Sequence, residues 1–314
     1  MSLHLNKILN YFRNKKHKYK REIANLCNVI YEFIIRLFPV KNLPEKQEIE
    51  LTLLTMCGKK HIGFLQQSLL SLYNSWSVLP KLQVVSDGSL NLSELEIAFA
   101  WWPAQKSFSL WEASVSFHEN QGYPKLAEFA CKSNVGKKLA AILDFGQKTR
   151  ILWCDADVLW FTEPLDILIP IQSHQELPLL KLSEDFHPSY DANLLSCGLE
   201  HLYNKPFINT GLVFINGNIL NAVNLENLFN LSSKQSNHFT EQTILAEAAY
   251  QLKASLWTRE EIACFLEDSI SFVPNYHGKQ WLARHYISPV RHLFYRDALA
   301  LRLGWGHYLF KIKK

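Results

Sequence analysis

The sequence predicts an α/β protein, with a mainly parallel central sheet flanked by helices and an N-terminal helical extension. Three observations predict it. From residue 49 onward, short apolar runs alternate with stretches of helical period. The runs lack polar alternation, as expected of strands covered on both faces. And 314 residues, 48% of them hydrophobic, supply a large core.

The elements follow in order. IELTLLTMC (49–57) is a buried-strand run. IGFLQQSLLSLYNSW (62–76) places Phe64, Leu65, Leu69, Leu72 and Tyr73 at helical spacing. KLQVVSDG (81–88) is strand-like and stops at a turn signal. GKKLAAILDFG (136–146) reads as a helix ending at Gly146. TRILWCDADVLWF (149–161) is the next strand, LPLLKLSEDF (177–186) another, and 187–205 an irregular insertion. PFINTGLVFING (206–217) is strand-like with internal glycines. LENLFNL (225–231) and EQTILAEAAYQL (241–252) are helical, and SISFVPNYHG (269–278) is a strand entering a loop.

Charge divides the chain. Residues 1–21 carry Lys7, Arg13, Lys15, Lys16, Lys18, Lys20 and Arg21 and no acid, so they bear +7 and the remainder bears −3. A nucleic-acid-binding body is not favoured. The stretch 23–38 is too short and too charged for a membrane span. As a helix it puts Ile23, Leu26, Ile30, Phe33, Ile34 and Leu37 on one side. That face either docks on the protein body, the preferred reading, or joins the basic arm as a peripheral anchor through residues 1–38 at the inner face of a membrane. With Pro39, Pro44 and a polar linker at 40–50, the expected division is a basic arm and helix (1–45) and a main domain (46–314).

Six scattered cysteines without CxxC spacing argue against structural zinc. Cys57 and Cys154 fall in strand-like runs as small buried hydrophobes. With no signal-peptide pattern, the chain reads as cytoplasmic and reduced.

Chemistry concentrates in the run ILWCDADVLWFT (151–162). On a strand, residues i and i+2 point the same way, so Asp155 and Asp157 converge on one point. Two carboxylates in apolar surroundings call for compensation. A hard divalent cation, Mn2+ or Mg2+, provides it, especially where substrate phosphates complete the shell. The bland alternative is that one Asp caps a turn and the other pairs with a base. Further on, HYISPVRH (285–292) offers His285 as a ligand and Arg291 as a phosphate grip. YHGK (276–279) offers His277 as a rival.

These residues together resemble the nucleotide-sugar glycosyltransferases of the GT-A fold, and more narrowly the glycogenin and lipopolysaccharide galactosyltransferase family. ILWCDADVLWF matches its strand ending in DxD, and FINTGLVFING its later Asn-(Ala/Thr)-Gly. Glu241-Gln242 matches an acidic-Gln pair opening a helix. The family's His-Phe-x-Gly-x-x-Lys-Pro-Trp, laid on His285, puts Arg291 at the lysine and Ser288 at the glycine, with His292-Leu293 replacing Pro-Trp.

The resemblance implies a Rossmann-like domain that transfers a sugar from a nucleotide diphospho-sugar, with a UDP-sugar donor and retention. Asp155, Asp157 and His285 would hold the ion, and Asp155 would also lie near the ribose. Arg291 with Lys137 or Lys138 would neutralise phosphate charge. Thr55 and Asp87 would contact the nucleoside. Asn209, Thr210 and Gly211 would shape the sugar site, and Glu241, Gln242, Glu184 and Asp185 would face donor sugar or acceptor. Bland roles compete: a turn for Asp87, a bulge for Asn209–Gly211, a solvated first helical turn for Glu241 and Gln242.

Rival functions are an aspartyl phosphotransferase, disfavoured by Leu159 two residues after the second Asp, and a catalytically silent or membrane-associated protein on the same scaffold.

Overall fold

A computed structural model describes residues 22–23, 25–40, 42–266 and 281–304. The chain divides into two compact units. The larger comprises Lys41–Cys264 and Trp281–His285, and the described part of the smaller is 22–23, 25–40, 265–266 and 286–304.

In the larger unit, β1 (Glu48–Cys57), α1 (Ile62–Ser75) and β2 (Leu79–Ser86) fall where the apolar runs place them. Next come α2 (Leu92–Phe99), β3 (Lys106–Leu110), α3 (Trp111–Asn120), α4 (Pro124–Lys132) and α5 (Asn134–Lys148). Then follow β4 (Ile151–Cys154), β5 (Val158–Trp160), α6 (Leu165–Gln172), β6 (Leu180–Glu184) and β7 (Ile208–Ile215). The last elements of this unit are α7 (Glu226–Lys234), α8 (Thr240–Leu252), β8 (Ser255–Trp257), β9 (Ile262–Ala263) and β10 (Ala283–His285).

Seven strands form one sheet in the order β3-β2-β1-β4-β7-β6-β8. β1 pairs in parallel with β2 and β4, β2 with β3, and β6 with β8. Only β7 runs against its neighbours, β4 and β6. The sheet is therefore mainly parallel, as expected. One core cluster joins Leu54, Trp153 and Val213 from the strands with Phe129, Leu139 and Ile142 from helices.

The reversal of β7 positions the site. Ligands of open α/β sheets bind beyond the carboxyl ends of the parallel strands. An antiparallel strand brings its own beginning to that edge. The register Cys154↔Leu212 thus sets Asn209, Thr210 and Gly211 beside the residues that follow β4.

Two boundaries differ from expectation. Helix α5 does not stop at Gly146 but runs to Lys148. Gly146 is a packing glycine there, since a Cβ would come within 2.9 Å of Ile215 Cγ2. The run 149–161 is not one strand. β4 ends at Cys154, Asp155–Asp157 form a turn, and β5 joins a separate three-stranded sheet ordered β5-β10-β9. The expected strand 269–278, His277 included, lies outside the described residues.

In the smaller unit, residues 25–36 are helical, and α9 spans Phe294–Arg302. The expected docking face is corrected. Leu26, Ile30, Phe33 and Leu37 are exposed, whereas Ile35 is buried. The Arg302 guanidinium donates to the carbonyls of Ile35 and Phe38. Burial, reinforced by the nearby charge of Glu32, raises the Tyr295 hydroxyl above its ordinary range.

Candidate active site

Asp155 and Asp157 converge by a different route from the expected strand alternation. They flank the tight turn that hands the chain from β4 to β5. The amide of Asp155 donates to Gly211 O at 2.9 Å, and the amide of Val158 closes the turn on Asp155 O at 3.3 Å. The Trp153 indole N–H donates to Asp155 Oδ1 at 2.8 Å.

His285 arrives through sheet register. β10 pairs antiparallel with β5, and His285 stands opposite Val158, next to Asp157. Its Nε2 lies 3.3 Å from Asp157 Oδ1 and 3.6 Å from Asp155 Oδ2. Ligand atoms from Asp155, Asp157 and His285 all lie within 4.8 Å of one another.

The imidazole is fixed from behind. Asn209 Oδ1 accepts from the Gly211 amide at 2.9 Å, which identifies that amide atom as the oxygen. The same oxygen lies 2.8 Å from His285 Nδ1, so Nδ1 must carry the proton it donates. Asn209 Nδ2 in turn donates to Asp185 Oδ2 at 3.3 Å. Asp185 Oδ1 is held by the amides of Phe186 at 2.6 Å and His187 at 3.2 Å. The series Asp185–Asn209–His285 therefore aims Nε2 at the two aspartates, the usual second layer of a metal-binding histidine. Gly211 supplies the space, because a Cβ there would stand 2.3 Å from His285 Nδ1. Burial alone would lower the His285 pKa, but the hydrogen bond and charge of Asp157, with Cys264 alongside, hold it well above the ordinary value.

A second charged group adjoins the first. Lys138, on the first turns of α5, is largely buried. It sits 3.0 Å from Asp155 Oδ1, 3.4 Å from Glu241 Oε1 and donates to Thr210 O at 2.9 Å. Burial opposes its charge, yet Asp155 and Glu241 keep its pKa above the ordinary value. Glu241 is buried and accepts from Thr210 Oγ1 at 3.2 Å. Burial raises its pKa, Lys138 works against that rise, and Asp155 adds to it. Gln242 is also buried and donates to Ser189 O at 2.7 Å. The solvated-turn reading of Glu241 and Gln242 is thus excluded. Asp191, fully buried, accepts from Thr240 Oγ1 and pins the start of α8.

Lys137 continues the row. Its ammonium donates to Asp87 O at 2.7 Å and lies 4.2 Å from the centre of the Trp111 ring. Asp87 Oδ1 caps its own turn, accepting from the amide and hydroxyl of Ser89 at 2.9 and 2.6 Å. Both the turn role and the strand-end position of Asp87 therefore hold.

Three further expected residues have these surroundings. Thr55 is fully buried within β1, opposite Val84. Glu184 faces Arg259 at 3.6 Å. Arg291 belongs to the smaller unit, where it opens the turn Arg291–Leu293. The bulge reading of Asn209–Gly211 also has substance, because the β6–β7 register shifts between Leu182 and Ser183. Three contributors were not anticipated: Trp153, Trp111 and Asp191. The two tryptophans follow no motif, and Asp191 lies in a stretch without period.

No family model matches the chain, and no curated protein matches it in sequence. Solved structures do. Mouse xyloside xylosyltransferase 1 in its apo form superposes with a TM-score of 0.50 at 12% identity, over 77% of this chain and 99% of that one. The galactosyltransferase LgtC, in complex with donor and acceptor sugar analogues, gives 0.51 at 12% identity over 84% and 98%. The apo bifunctional glycosyltransferase WbbM gives 0.50 at 11% identity over 86% of this chain and 52% of that one. The protein has the GT-A glycosyltransferase fold.

Proposed function

We propose that this protein is a divalent-metal-dependent hexosyltransferase. It takes a sugar from a nucleotide diphospho-sugar, a UDP-sugar, and passes it with retention to a glycan, lipid-linked or protein acceptor. It works at the cytoplasmic surface of a membrane, which it meets through residues 1–38. The observation that carries the reading is the convergence of Asp155, Asp157 and His285 beside the Lys138–Glu241 pair.

The donor set fits Mn2+ or Mg2+: two carboxylate oxygens and one imidazole nitrogen whose tautomer is fixed from behind. When bound, such an ion supplies Lewis-acid stabilisation of the diphosphate leaving group.

The chain's own residues supply the rest. The ammonium of Lys138, the first turn of α5, and Lys137 beside it present positive charge where a diphosphate would lie. Glu241 and Gln242 line the sugar side, with Asn209, Thr210 and Gly211 shaping its floor. Asp185 holds Asn209 rather than touching substrate. Thr55 and Asp87 border the nucleoside end, and Glu184 the acceptor side. No strong base is needed on the donor side, because the acceptor proton can pass to a carboxylate or to the departing phosphate.

Calorimetry with UDP, GDP and ADP, each with and without manganese, tests the reading. Manganese-dependent binding of UDP is expected, and Asp157→Ala should abolish it without unfolding the protein. Retained transfer by that variant, or no nucleotide binding by folded parent protein, would overturn it.

A further inference from the structure

Within the larger unit, α8 and the residues that lead into β7 and β8 enclose a cavity of about 560 Å³. That size falls in the usual range of small-molecule sites. It shares no residue with the Asp155–Asp157–His285 cluster or the Lys138–Glu241 pair. The buried part of its lining is Tyr190, Leu202, Ile208, Ala246 and Ala249. Alanine at 246 and 249 leaves that face of α8 without bulk, so the neighbouring chain does not fill the space. Lys253, in the left-handed region at φ 49°, turns the chain out of α8 and brings Leu256 to the same cavity. At the exposed edge stand Tyr250, 44% exposed, and the two lysines Lys205 and Lys253.

Charge and shape select the occupant. Lys205 and Lys253 are the charged residues of the lining, and no carboxylate shares it. The Lys205 ammonium rests 4.7 Å from the centre of the Tyr250 ring. The nearby acid, Glu247, is engaged elsewhere: His201 Nε2 lies 2.8 Å from one of its oxygens and Gln251 donates to the other at 2.7 Å. Carbonyls at the end of α8 are also satisfied, since the amide of Lys253 donates to Tyr250 O at 3.2 Å and that of Ala254 to Ala249 O at 2.9 Å. The edge is therefore cationic and the interior apolar. From Ala246 to Lys253 the cavity follows α8 for about 10 Å at 1.5 Å per residue, the reach of a short extended alkyl chain. Lysines act as point charges and suit one compact anionic head.

We propose that this cavity binds a free aliphatic carboxylate, its chain lying on Ala246, Ala249, Leu202 and Ile208 and its head between Lys205 and Lys253. The site goes beyond the catalytic reading and does not depend on it.

Calorimetric titration of the full-length protein with octanoate, octan-1-ol and butanoate tests it. Octanoate should bind at least about tenfold tighter than butanoate, because the added methylenes leave water. It should bind about fivefold tighter than octan-1-ol, the scale of an exposed charge pair, and that advantage should shrink with salt. Lys205→Gln with Lys253→Gln, both at exposed positions, should remove the advantage over octan-1-ol while the protein melts like the parent. Ala249→Leu fills the cavity and should abolish binding of both eight-carbon probes. Should that buried substitution prevent folding, the lysine variant decides. Equal affinity for octanoate and butanoate overturns the proposal. So does a lysine variant that binds octanoate like the parent, or a folded Ala249→Leu protein that keeps octanoate binding. Manganese-dependent nucleotide binding is measured separately, so loss of one reading leaves the other standing.

Discussion

Asn209 Oδ1 accepts the Nδ1 proton of His285 at 2.8 Å, which leaves Nε2 directed at Asp155 and Asp157. A single side-chain amide thereby sets the aim of the His285 imidazole. Backbone and side chain agree on its orientation, since the Gly211 amide donates to the same oxygen.

Asn209→Ala should therefore lower manganese affinity by roughly 10–100-fold, the usual effect of removing a partner behind a metal-binding histidine. Asp155 and Asp157 remain in place, so weak binding should persist, in contrast to Asp157→Ala. Calorimetric titration of manganese in the presence of UDP measures it. An unchanged affinity would show that β5–β10 pairing alone orients the ring.

Gly211→Ala acts on the same ring by sterics. The added methyl would stand 2.3 Å from Nδ1 and 2.7 Å from Cε1 of His285, closer than real Cβ contacts come. The imidazole is buried and held on both edges, so it cannot swing aside without breaking its bond to Asn209. Manganese-dependent nucleotide binding should fall by about tenfold or more, with a lower melting temperature from strain. Wild-type affinity in this variant would sink the assignment of Gly211 as the floor beneath His285.

How much of this was legible follows from how local each cause is. The strands β1, β2, β4 and β7 show in the sequence because burial on both faces leaves continuous apolar runs. Asp155 and Asp157 stand out because carboxylates interrupt such a run. Their geometry did not follow, because the turn and the departure of β5 to another sheet depend on pairing with β10, over a hundred residues away. Helix α2 went unread although its capping box, Asn91 with Glu94, is a local signal. The N-terminal helix shows the opposite limit. Periodicity located its apolar face, but which face packs inward is decided by distant Arg302 and its neighbours.

Lys138 bridges Asp155 and Glu241, so Lys138→Met leaves two carboxylates near each other in a largely buried setting. Removing one partner of a buried ionic group costs roughly 3–5 kcal/mol, because the remaining charge is uncompensated. The cost should appear as a lower urea midpoint in metal-free protein. Adding Glu241→Gln should restore part of it, since one of the two stranded charges is then gone. Strictly additive losses in the double variant would mean that the Lys138–Glu241 contact carries no coupling.

His118 provides a pH test away from the site. It is fully buried on α3, and its Nε2–H donates to Ala140 O at 2.9 Å. Burial depresses its pKa, against the opposing influence of the Ala140 bond and the Asp144 carboxylate. The sign follows from where the proton goes. Above the unfolded value of about 6.5, neither state is protonated and the native fold has its full stability. As pH falls below that value, the unfolded chain takes up a proton that the native state refuses. Stability then declines, by at most about 1.4 kcal/mol per pH unit, until pH reaches the lower folded-state pKa and the loss levels off. His118→Gln keeps a donor for Ala140 but cannot titrate. Urea unfolding of parent and variant at about pH 8 and about pH 5 isolates the effect, since other titrating groups cancel in the comparison. The parent should lose more stability between those two values than the variant does. Equal losses would mean that His118 is protonated in the native state.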